Sequence, residues 1–173
     1  MATQSKALAV VVDCSWSMSP DMPKVRAALI ETKARADIAG VKMAVAAASG
    51  VGDVPIRFIL PFGSSGASAA KSLAALGAPG GGTILVPAIK LAVAGLKAAS
   101  VDKRILVVIW DGYASDAATI APLVARQKGI LVYQLLLDWA DGATIAAKAA
   151  FGISPIPVSS AADIEAKLAE FIR

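Results

Sequence analysis

Near its start the chain reads Ala7-Leu8-Ala9-Val10-Val11-Val12-Asp13-Cys14-Ser15-Trp16-Ser17-Met18. The apolar run is too short for a buried helix, and its β-branched end suits a strand covered on both faces, as inside a parallel sheet. A polar cluster follows where such a strand leaves the sheet. Asp13, Ser15 and Ser17 there present oxygen side chains on alternate residues of one turn, the ligand chemistry that hard divalent cations take.

Working outward, Ser19-Pro20-Asp21 offers a helix start, and Val25, Ala28, Leu29, Thr32 and Ala36 recur at helical spacing up to Ile38, with Gly40 as the stop. Strands follow over 41–49 and 56–60. The connection between them is too short for a crossover helix, so they pair antiparallel. A short helix over 67–76 leads to the glycine-dense loop Gly77-Ala78-Pro79-Gly80-Gly81-Gly82-Thr83, then a long helix over 87–99 and a strand over 104–110. Ser115 or Asp116 can cap a helix running through Lys128, Gly129 stops it, and 130–137 forms another buried strand. A helix over 141–151 and a strand over 156–158, bracketed by Pro155 and Pro157 and so confined to an edge, come next. Ser160 and Asp163 match a capping box for a last helix reaching Ile172. The alternation specifies one domain over 1–173 and a three-layer α/β/α sandwich. Its mainly parallel sheet holds about six strands, with one antiparallel edge strand.

Composition narrows the chemistry. The 173 residues suffice for a single core without disulfides. The hydrophobic fraction is 57%, yet no apolar run approaches the length that spans a bilayer, so no membrane partner is expected. Only Lys6 precedes the first apolar run, no small-residue cleavage pattern follows, and one cysteine fits a reducing compartment. A cytoplasmic protein is expected. The chain has no histidine, which removes Ser-His-Asp and Cys-His chemistry and imidazole zinc sites and argues against an enzyme. No catalytic residue is assigned. Cys14 is read as a small buried hydrophobe. The net charge is +4, but the cations are scattered and no basic run alternates with aromatics, so nucleic acid is not an expected partner.

Three oxygen-bearing clusters fall on one rim: Asp13/Ser15/Ser17 and Asp111 directly after strands, and Thr83 in the glycine loop ahead of a helix that returns to the sheet. Each has a purely structural reading beside the ligand reading. Ser15 or Ser17 can cap the first helix, Thr83 the helix near Pro87, and Asp111-Gly112 can be an ordinary turn pair. Asp116 reads as a helix cap.

Together Asp13-Cys14-Ser15-Trp16-Ser17, Gly81-Gly82-Thr83 and Asp111-Gly112 resemble the metal-ion-dependent adhesion site of the von Willebrand factor type A domain family. In that pattern an Asp-x-Ser-x-Ser, a Thr and an Asp lie in this order at strand ends. The resemblance implies a Mg²⁺ or Mn²⁺ ion, with Ca²⁺ as an alternative. It would be held directly by Ser15 and Ser17, with Asp13, Thr83 and Asp111 binding directly or through water. It also implies a protein ligand that supplies an Asp or Glu carboxylate, an AAA+ ATPase or other assembly component being one such partner. Trp16 and Trp110 depart from the residues common at their places. With Tyr113 and Trp139 they fall at strand ends, as a candidate partner-binding rim. Two alternatives to the binding module stand: a structural subunit with a vestigial metal site, and a metal-assisted phosphoryl-transfer enzyme with Asp13 as nucleophile.

Overall fold

A computed structural model of the chain describes residues 4–48, 56–78, 80–137 and 140–173. Its strands are β1 (Lys6–Asp13), β2 (Lys42–Ala48), β3 (Phe58–Leu60), β4 (Lys103–Trp110), β5 (Ile130–Leu136) and β6 (Ile156–Pro157). The helices are α1 (Met22–Ile38), α2 (Gly66–Ala74), α3 (Val86–Ala98), α4 (Ala117–Ala125), α5 (Asp141–Phe151) and α6 (Ala161–Ile172). The six strands form one sheet in the order β3-β2-β1-β4-β5-β6. Only β3 runs antiparallel, beside β2 at an edge, as the short connection requires.

The unbroken apolar run of β1 is explained by its central place. Leu8, Val10 and Val12 point into a core with Val25 and Leu29 of α1, Leu73 of α2 and Leu168 of α6. Ala7, Ala9 and Val11 point into a second core with Ile89 and Leu96 of α3, Ile120 of α4 and Phe151 of α5. Both faces of the strand are therefore dry, and alternation disappears. Each fully buried Leu or Val contributes about 1.5–3 kcal/mol by leaving water.

Element ends follow local chemistry. The capping box at α6 forms: the Ser160 hydroxyl accepts from the Asp163 amide, and the Asp163 carboxylate accepts from the Ser160 amide, both at 3.1 Å. Helix α5 spans the expected 141–151 and stops at Gly152, whose φ of 71° suits glycine. Helix α4 is shorter than its sequence pattern, ending at Ala125 instead of Lys128. Pro122 lies inside it and lacks the N–H that would bond one turn back. The Gln127 side chain then takes the Leu123 carbonyl at 2.8 Å, and the backbone turns toward β5.

Candidate metal centre

The strand order sets the site. From β1 the chain crosses to β2 on one side, while β4 lies on the other, so the connections depart to opposite faces and leave a crevice beyond the carboxyl ends of β1 and β4. Asp13 is the last residue of β1, and Asp111 is the first after β4. The loop before α3 arrives at the same end.

The five oxygen residues are joined there in one network. The Ser15 amide donates to Asp13 Oδ1 at 2.8 Å, and the Ser15 and Ser17 hydroxyls lie 3.1 Å apart. The Ser17 hydroxyl donates to Asp111 Oδ2. From the glycine loop, Thr83 Oγ1 donates to Asp13 Oδ2 at 3.3 Å. Asp13, Ser15 and Thr83 are buried, Asp111 is half-buried and Ser17 is exposed, so the cluster runs from a dry floor to an open mouth.

This geometry removes the helix-cap reading of Ser15 and Thr83 and bears out the turn reading of Asp111. Ser15 occupies the residue before the short 3₁₀ turn Trp16–Met18, yet its hydroxyl caps nothing and turns to Ser17. Thr83 does not cap α3 either; Leu85 holds the cap position without a side-chain bond. Asp111 makes the turn and also joins the cluster. Its Oδ1 accepts from the Tyr113 amide at 3.4 Å across Gly112, whose φ of 102° makes the turn, while Oδ2 remains in the cluster.

Asp116 performs a task the sequence did not disclose. It precedes α4 but makes no cap there. Its carboxylate instead accepts from the Leu85 amide at 3.1 Å and the Val86 amide at 2.7 Å, capping the start of α3 from across the crevice. Beside it, Ser115 donates to the Thr83 carbonyl through both its amide, at 2.9 Å, and its hydroxyl, at 2.8 Å. The Trp16 amide reaches the Gly81 carbonyl at 3.3 Å. These bonds tie the glycine loop to both neighbouring segments and fix the height of Thr83. A Ser-Asp pair opening a helix carries no signal that it caps a different one.

Electrostatics favour a cation. Burial, with a smaller contribution from neighbouring Asp111, pushes the Asp13 carboxyl up to about 6, against the lowering effect of its bonds from Ser15 and Thr83. Among the described residues no ion pair involves Asp13 or Asp111. Two carboxylates thus share a small volume with no counter-charge among the described residues. Every donor is a hard oxygen, and no group of three His, Cys, Asp or Glu side chains gathers among the described residues. That set fits Mg²⁺ or Mn²⁺, which keep several waters and take one or two carboxylates, better than Ca²⁺, which takes more oxygens. Cys14 stands apart: its thiol is buried in the α1 core and burial pushes it up to about 12.

The aromatic rim divides. Trp16 is 72% exposed, its ring resting over Gly80, and Tyr113 is 54% exposed beside Gly142. Trp110 corrects the expectation of a rim residue. It is fully buried, stacks edge-on against Phe151 at 5.3 Å and donates from Nε1 to Gln134 Oε1 at 3.1 Å. The register of β4 turns it into the α3–α5 core, and Asp111 alone emerges at the mouth. Trp139 lies outside the described residues.

The sequence model of the von Willebrand factor type A domain matches residues 8–114, more than half of the chain. The chain belongs to this family. No curated protein matches it. Among solved structures, the pilus adhesin SpaC from Lactobacillus rhamnosus GG is similar with a TM-score of 0.78 at 16% identity. That match covers 99% of this chain and only 30% of SpaC. The conserved hypothetical protein BatB from Bacteroides thetaiotaomicron gives 0.74 at 16% identity over 97% of both chains. The PilB minor pilin from Streptococcus sanguinis gives 0.70 at 11%, over 99% of this chain and 61% of that one. At such identities these structures establish the fold alone.

Proposed function

We propose that this type A domain is a non-enzymatic, metal-dependent protein-binding module, in which a partner's Asp or Glu carboxylate completes the coordination of a Mg²⁺ or Mn²⁺ ion. One observation carries the reading: three hydroxyl side chains and two carboxylates meet at the open end of the sheet, and among the described residues neither carboxylate has a cationic partner. Asp13, Ser15, Ser17, Thr83 and Asp111 would hold the ion. When bound, it would supply positive charge at a mouth that stays open to an anionic ligand.

The residues divide the work. Asp13 and Thr83 form the floor, Ser15 and Ser17 turn their hydroxyls toward the mouth, and Asp111 closes the ring from β4. Trp16 and Tyr113 flank the opening and offer a partner apolar contact. Adhesins and pilins of the same fold make a protein partner the natural class; nothing among these relatives points to an AAA+ ATPase.

Titration calorimetry with MgCl₂ and with MnCl₂ tests the metal, and capture of partners from the source cell with and without EDTA tests the binding. Saturable heat from the wild type, none from Asp13→Ala, and a partner released by EDTA are the expected results. No metal-dependent heat from the wild type would overturn the proposal and leave a structural scaffold. Steady phosphate release from a generic phosphoester, lost in Asp13→Asn, would replace it with an enzyme.

A further inference from the structure

Seven of the cations that look scattered along the sequence are brought by the fold to the end opposite the metal centre. The parallel register sets the amino ends of β2, β1, β4 and β5 side by side, with Lys42 beside Ala7, Lys6 beside Lys103 and Arg104 beside Ile130. Lys42 and Lys103 therefore flank the start of β1 on either side, and Lys128 stands two residues before β5. Neighbouring strands lie about 4.8 Å apart, so the row is compact. Lys97 in the last turn of α3 and Arg126 just after α4 reach the same end. None of these five forms an ion pair among the described residues. Lys6 and Arg104 are otherwise engaged, with the Ile172 carbonyl and with the Leu96 and Ala99 carbonyls. Three exposed acids share this end: Asp102, held by the Ser5 amide and hydroxyl at 2.9 and 2.8 Å, Asp37, paired with Lys33, and Glu170, paired with Lys167. The acids Asp13, Asp111, Asp116 and Asp141 lie at the other end.

Apolar features share this basic end. Ile38, the last residue of α1, is 89% exposed, four positions before Lys42. Between β2, the turn after β3 and the end of α3 opens a cavity of about 420 Å³ lined by Lys42, Phe62, Gly95, Ala98, Ala99 and Ser100. Unpaired cations, a bare isoleucine and an apolar hollow with a lysine at its edge match an amphiphile with an anionic head. A phosphodiester backbone would use the cations and leave Ile38 without a purpose. An anionic bilayer uses all three.

We infer that the amino-end face of the sheet is a peripheral docking surface for anionic phospholipid membranes, holding the metal centre outward at the far end. Lysine and arginine side chains meet the lipid phosphates while Ile38 enters the headgroup layer. No helix among the described residues is long and apolar enough to cross a membrane, so the contact is superficial and reversible.

Flotation of the full chain with phosphatidylcholine vesicles, with and without phosphatidylglycerol, tests this. Binding is expected only to the anionic vesicles and weakens as salt rises. The triple variant Lys42→Gln/Lys103→Gln/Lys128→Gln should lose about 100-fold in partitioning, near fivefold per cation. Ile38→Ser should weaken vesicle binding while leaving retention on heparin unchanged, and Asp13→Ala should bind vesicles as the wild type does. Absence of binding to anionic vesicles at low salt would overturn the inference. Vesicle binding that Ile38→Ser leaves intact, with equal affinity for duplex DNA, would replace the membrane with a general polyanion.

Discussion

Asp13 concentrates the site's chemistry in one carboxyl group. Its folded pKa of about 6 lies above the unfolded value of about 4, so between these limits the folded chain holds a proton that the unfolded chain has released. Without metal, stability therefore falls as pH rises from about 4 through 6, by about 3 kcal/mol at full ionisation. Metal affinity moves the other way: a cation needs the ionised form, so affinity should drop about tenfold per pH unit below 6. Melting curves from pH 4 to pH 8, with and without MgCl₂, check both signs. Asp13→Asn should flatten the metal-free profile, raise the melting temperature near neutrality and abolish the response to Mg²⁺. Trp16 and Trp110 form a second contrast at this scale. Trp110→Phe leaves Gln134 Oε1 buried without its donor and should cost about 1–3 kcal/mol of stability. Exposed Trp16→Ala should change stability by less than about 0.5 kcal/mol and metal affinity not at all, while weakening capture of a protein partner. Chemical denaturation and calorimetry separate the two. Sequence could place both residues at strand ends but not tell them apart. Which face a strand's last residue takes depends on register, and Trp16 lies one turn beyond its strand.

At the scale of elements, α3 is held at its start by a residue from another element. The helix lacks a side-chain cap of its own, and the Asp116 carboxylate meets its first amides while Ser115 grips the Thr83 carbonyl two residues earlier. A charged acceptor at a helix start contributes about 1–2 kcal/mol. Asp116→Ala should lower stability by that amount and also weaken Mg²⁺ binding several-fold, because the loop carrying Thr83 loses its anchor. Asp116→Asn keeps an acceptor and should recover most of the stability. Calorimetric affinities for both variants show whether the anchor acts on the site: an unchanged metal affinity in Asp116→Ala would confine Asp116 to the helix. The ends of α5 and α6 were legible because their signals are local, a glycine stop and a capping box. The end of α4 was not, because a proline inside the helix and a glutamine side chain on the Leu123 carbonyl stop it at Ala125, short of the glycine that the pattern points to, and the cap of α3 was not, because it comes from a segment distant in sequence. The cluster's membership was legible in Asp-x-Ser-x-Ser and Asp-Gly, whereas the Thr83 bond to Asp13 exists only once the glycine loop is stitched down.

Across the whole molecule, the strand order converts three distant segments into one site, and this would make metal binding a global matter. Asp13 to Ser17, Thr83 and Asp111 are brought together only when β1, β4 and α3 are all in place. The unfolded chain has no such cluster, so a cation bound to the folded form stabilises the entire domain by mass action. At a free Mg²⁺ concentration 100 times the dissociation constant, the gain is about 2.7 kcal/mol. For a chain of this length each kcal/mol moves the melting temperature about 2–4 °C, so a rise of about 5–10 °C is expected. The shift should grow with the logarithm of the metal concentration and be reversed by EDTA. Ser17→Ala and Thr83→Ala should each reduce it, although they touch opposite segments. Hydrogen exchange gives the sharper reading. If the site is knit into the fold as the network suggests, Mg²⁺ will slow exchange of the amides in the buried strands β1 and β4 along with those of the loops. Protection confined to residues 13–17 would mean that the ion is held by one turn alone, and that Thr83 and Asp111 only support the fold.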